Sequence, residues 1–120
     1  MTKAPLLFAA IASLLPLAGA AQEAQQLSLE QRTLVRCSAA FALAANLQES
    51  GDKSLGEVPE LRVRGQEYFV RAMAALMDQT GLGREAVAAL LKAEVGTLAE
   101  GDALAQAMPP CLASLETSGL

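Results

Sequence analysis

The chain has 120 residues, nine Lys and Arg against thirteen Asp and Glu, and no histidine, for a net charge of −4 at pH 7. That length is one domain, and the acidic balance argues against nucleic acid and anionic lipid, which both demand a basic footprint. Without histidine there is no imidazole acid–base chemistry, no Ser-His or Cys-His nucleophile pair, and no route to most zinc sites.

Residues 1–21 read as a cleaved export signal. Lys3 precedes an apolar stretch, residues 4–18, interrupted only by Ser13, Pro5 and Pro16, and the small residues Ala18, Gly19, Ala20 and Ala21 follow. That tripartite pattern predicts cleavage after Ala20 or Ala21 and delivery to the periplasm. A membrane helix needs about 20 apolar residues, and this stretch is shorter and carries two prolines. No stable membrane insertion is expected once the signal is gone. The remaining chain holds eight Lys and Arg against thirteen Asp and Glu, a net charge of −5.

Residues 22–27 are polar and predict a mobile lead-in to a single helical domain over 28–120. Ser28-Leu29-Glu30-Gln31 has the form of a capping box, so a first helix is expected over residues 29–50, stopped by Gly51. One face collects Leu34, Cys37, Phe41, Ala44 and Ala45. A second apolar seam, Val35, Ala39, Leu43 and Leu47, lies across the helix, which implies contact on two sides. Either another helix of the monomer covers that seam, or a second copy or client protein does.

Pro59 suits a first helical position, which predicts a second helix over 59–80 closed by Gly81. Its polar residues Arg64, Glu67, Arg71 and Asp78 form a narrow strip, so it reads as the central helix, with Glu67 and Arg71 in the favourable i, i+4 order. Met73 and Met77 read as core, or as an adaptable binding surface. After the tight Gly81-Leu82-Gly83 connection, a third helix is expected over 84–100. Val87, Ala88, Leu91, Val95 and Leu98 face inward, and Gly101 stops it. Residues 102–107 read as irregular. Met108-Pro109-Pro110 breaks the chain and starts a fourth helix over 110–117, with Cys111 in its first turn. The fold class is all-α: a small bundle of four helices.

Cys37 and Cys111 are an even pair in an oxidising compartment, and a structural disulfide between them is expected. As a redox pair, Cys111 at a helix N-terminus would be the better nucleophile; oxidoreductases, however, place their cysteines in a C-x-x-C run that this chain lacks. The spacing of Leu76, Gly81, Leu82, Val87 and Leu90 is that of a helix-turn-helix. Its reading helix would present Arg84, Glu85, Ala89 and Lys92, too few cations and too few base-reading groups for DNA. Paired carboxylates such as Glu67 and Asp78 share their strip with arginines and read as a solvated face. No cofactor, metal or phosphate-loop signature stands out, and no enzyme is expected.

The segments Arg36-Cys37-Ser38-Ala39-Ala40-Phe41, Tyr68-Phe69-Val70-Arg71 and Met108-Pro109-Pro110-Cys111-Leu112 resemble those of small periplasmic two-cysteine helical proteins of Gram-negative bacteria. The resemblance spans residues 32–115 and implies export and a disulfide, with no activity attached. Three functions remain in view: an interaction or accessory protein acting through an apolar helix face, a stress chaperone activated by acid, and a thiol-disulfide redox protein. The chaperone reading rests on thirteen carboxylates without histidine, which would swing the net charge from −5 to about +8 on full acid titration.

Overall fold

A computed structural model describes residues 26–120; the expected signal segment and lead-in residues 22–25 lie outside the described residues. Four helices follow in order, α1 (Leu29–Glu49), α2 (Arg64–Thr80), α3 (Arg84–Leu98) and α4 (Ala103–Thr117), with no strand among the described residues. The all-α bundle tied by one disulfide is the architecture expected from the sequence.

The first helix starts where its capping box puts it. Ser28 Oγ accepts from the Gln31 N–H at 3.1 Å, and the Gln31 side chain accepts from the Ser28 N–H at 3.0 Å. Leu27, just before the cap, is only 8 % exposed and packs with Val35, Leu76, Val87 and Leu90. Leu27, which the sequence placed in the mobile lead-in, is instead held in the core, because an apolar side chain at that point has a core to enter.

The central helix is α1, where the sequence pointed to the second. Its buried residues include the unbroken run Cys37-Ser38-Ala39-Ala40-Phe41, and five consecutive positions at 100° each reach every azimuth. Each of the other three helices packs on it. Small side chains make this possible, because they let three neighbours approach one axis. α2 comes close at Gly65, where an added Cβ would stand 3.1 Å from Phe41 Cβ. The larger apolar residues of α2 gave it the look of a centre, yet Val70 is 59 % exposed.

Pro59 does not begin α2, which starts five residues later. Gln48 of α1 donates to the Pro59 carbonyl at 2.8 Å and accepts the Leu61 N–H at 3.0 Å, while the Glu60 carboxylate accepts the Arg62 N–H at 2.8 Å. These bonds hold the segment against the end of α1 as fully buried Leu61 enters the core. Leu61 then offers its carbonyl to the Gly65 N–H at 2.8 Å, the first bond of the helix. The other end is as expected: Gly81 adopts φ +72°, open to glycine at little cost, and its N–H closes on the Met77 carbonyl at 3.0 Å.

In α3, Val87 and Leu98 are buried and Leu91 and Val95 pack against the core as expected, but Leu90 is buried where Ala88 is exposed, and the helix ends two residues early at Leu98. In α4, Pro109 and Pro110 do not break the chain: the helix runs through them from Ala103. The two rings leave the carbonyls of Ala105 and Gln106 without their i+4 donors. Both residues are exposed, as are the prolines, so this side of the helix faces solvent, where unpaired carbonyls cost least.

The main core gathers Phe41, Leu61, Tyr68, Leu98, Met108 and Leu115 around the cysteine pair. Phe41 and Tyr68 meet edge to face with centroids 5.1 Å apart, a favoured aromatic geometry. The Tyr68 hydroxyl is 2.9 Å from that of Ser114, which joins α2 to α4. Arg64 fastens the end of the described chain, donating from Nε to the Leu120 carbonyl at 3.0 Å and pairing with Glu116 at 3.0 Å.

Candidate functional site

The cysteines form a disulfide that ties α1 to α4 with a Cα–Cα distance of 5.1 Å across 74 positions of sequence. Because α4 begins at Ala103, Cys111 sits in mid-helix and not in a first turn, so the helix N-terminus expected beside it is absent. Each cysteine is 1 % exposed. The bond is a staple inside the core, withheld from an attacking thiolate.

Other sequence candidates fall into ordinary structural places. Leu76, Val87 and Leu90 share a small core with Leu27 and Val35, so the corner between α2 and α3 is packed onto α1. Arg84, Glu85, Ala89 and Lys92 are exposed with both charge signs mixed. Glu67 and Asp78 lie eleven residues apart on α2, about 16 Å along its axis, too far to share a proton or a metal. Among the described residues the ion pairs are Arg36–Glu94, Arg62–Glu60 and Arg64–Glu116, and the expected pair between Glu67 and Arg71 is not made. Met73 and Met77 are half-buried against the core.

The seam across α1 divides in two. Val35 and Ala39, at 6 % and 1 % exposed, are covered by the chain itself. Leu43 and Leu47 are half-buried and open onto a cleft at the far end of the helix. That cleft, about 630 Å³, has apolar walls from Leu43, Leu47, Leu55, Leu98 and Leu104. Across Leu47 and Leu55 lies a second open concavity of about 810 Å³, floored by Ala44 and Val58. Residues 51–58 form the ridge between them. The ridge is fastened to α1 by the Asp52 N–H on the Leu47 carbonyl at 2.9 Å, and folded on itself by the Gly56 N–H on the Lys53 carbonyl at 3.0 Å. The Ser54 N–H donates to Asp52 Oδ1 at 2.8 Å. Hydrogen bonds from the Ser54 side chain, then from its backbone, hold the Asp52 carboxyl below its ordinary range.

Charge is sorted along the bundle. The end that holds the clefts carries Glu49, Asp52, Glu57, Glu60, Glu100 and Asp102 against Lys53 and Arg62. The other described residues carry six carboxylates and six cations, so the whole net charge of the described chain, −4, resides at this end. The C-termini of α1 and α3, both negative dipole ends, point here without a basic residue in their last turns. The N-terminus of α4 offsets part of that field, and Asp102 stands at its cap.

Sequence reasoning found Leu43 and Leu47 but missed Leu55, Leu98 and Leu104, which arrive from a loop and two other helices. The four carboxylates and single lysine within residues 49–60 were a readable signal of an acidic end. Among the described residues no helix is long and apolar enough to cross a membrane, and no group of three or more His, Cys, Asp or Glu is placed to hold a metal ion. No protein-family model matches the chain, and no curated protein or solved structure matches it.

Proposed function

We propose that this is an exported periplasmic protein without catalytic activity that acts by binding another protein through the cleft at the acidic end of the bundle. The observation that carries the reading is the split seam: half of it is sealed by the fold, and Leu43 and Leu47 are left lining an open apolar cleft. An open apolar groove with polar groups at its rim is a form that takes up a partner's amphipathic helix. The leader pattern of residues 1–21 and the buried disulfide support an oxidising compartment.

No observation favours the redox reading, since its cysteines lie in the core. The acid-chaperone reading needs the bundle to open, and the staple joins its central and last helices at mid-length.

A photo-crosslinking amino acid at Ala105, an exposed residue on the cleft, tests the proposal in the producing cell against the same group at Ala88 on α3. A discrete adduct from Ala105 and none from Ala88 is expected. No adduct, or the same adducts from both, overturns the reading. N-terminal sequencing of the recovered protein should begin at Ala21 or Gln22; a start at Met1 overturns export by a cleaved signal.

A further inference from the structure

We infer that the partner presents a cationic amphipathic segment, whose apolar face enters the Leu43–Leu47–Leu104 cleft while its basic flank lies over the acidic rim. The inference rests on the proposed reading of the cleft as the working surface, and adds the chemistry of what fills it.

Charge complementarity selects this occupant. Asp102 stands on the cleft itself, Asp52, Glu57 and Glu60 against Lys53 line the adjoining concavity, and Glu49 and Glu100 neighbour the lining residues Ser50 and Ala99 in sequence, so the net charge of the described chain is gathered at this end. Nucleic acid and anionic lipid are repelled by the same rim. A second copy docked end to end would set one acidic end against another, and like charges facing each other across an interface oppose association. The remaining described charges balance six to six, so the rest of a second copy carries no net positive charge to draw it to this end. A bare metal ion would leave the leucines unanswered, and no group of three or more ligating side chains is assembled among the described residues. What satisfies walls and rim together is a segment that brings leucine-sized side chains and lysine or arginine on one surface. An amphipathic helix with apolar anchors at i, i+3, i+4 and i+7 does so, in the helix-in-groove mode of recognition.

The test uses the oxidised protein without its signal segment and three fluorescent synthetic helical peptides, read by anisotropy. One carries leucine anchors with lysine at the polar positions, one the same leucines with glutamate, and one the same lysines with serine in place of leucine. Only the first is expected to bind, more weakly as salt rises from about 0.05 M to about 0.5 M. The variant Glu49→Gln, Glu57→Gln and Glu100→Gln removes three exposed charges that make no side-chain hydrogen bond or ion pair in the structure, and should weaken that binding about tenfold. Equal binding of the glutamate peptide, equal binding of the serine peptide, no binding of the first, or no effect of the triple variant overturns the inference. If an adduct still forms at Ala105 in the cell, the interaction reading survives with a partner of different chemistry. If none forms there, that reading fails by itself.

Discussion

Removing the staple should cost this protein a large share of its stability. The bond closes a loop of 74 positions, and the loop-entropy relation converts that length to roughly 4–5 kcal/mol. Domains of this size hold about 5–15 kcal/mol in total. The core has little to compensate with, because most of the buried residues of α1 are alanine, serine and cysteine. Alanine is the informative substitution. Serine would put hydroxyls where each cysteine is 1 % exposed, and a buried hydroxyl without a partner adds about 1–3 kcal/mol of its own penalty. The Cys37→Ala, Cys111→Ala variant, followed by far-UV circular dichroism on heating, should melt roughly 20–35 °C below the parent. In reductant under native conditions, the parent should lose its bond no faster than it unfolds, since no sulfur is exposed. A variant melting within about 5 °C of the parent, or reduction much faster than unfolding, would refute the role given to the bond.

Smaller effects follow from particular contacts. Ser38 is fully buried and its hydroxyl has no hydrogen-bond partner, so Ser38→Ala should stabilise by about 1 kcal/mol in urea titration. Gly65→Ala should destabilise by about 1 kcal/mol or more despite the better helix propensity of alanine, because its methyl group would meet fully buried Phe41 at 3.1 Å. The Asp52 carboxyl, held below its ordinary value of 3.8 by Ser54, contributes stability that is present above that value and lost as pH falls through the lowered one. The melting temperatures of the parent and Asp52→Asn should therefore differ near pH 6, and the difference should shrink as the pH falls through the lowered pKa of Asp52.

Local chemistry was legible in the sequence, and long-range chemistry was not. Ser28 with Gln31, and Gly81 after Thr80, carry their own instructions, because a cap or a left-handed stop involves a few neighbouring residues. The cysteine pairing was legible because only two cysteines exist. Pro59 misled, since its usual place at a helix start was overruled by Gln48, eleven residues earlier, which takes the Pro59 carbonyl and the Leu61 N–H. Pro109 and Pro110 misled in the opposite sense: the propensity to break a helix lost to the anchoring of Met108, Cys111 and Leu115 in the core on one side. Of the site, Leu43 and Leu47 could be read from helical periodicity. Leu55, Leu98 and Leu104 could not, because only the folding of three separate segments brings them to the same cleft.

The proposed binding surface lies at one end of the bundle, and amide chemical shifts of the labelled protein titrated with the lysine-bearing peptide test that placement most directly. The predicted result is a set of shifts confined to residues 43–58 and 98–105. Shifts centred on residues 29–36 or 84–92, or none at saturating peptide, would contradict it.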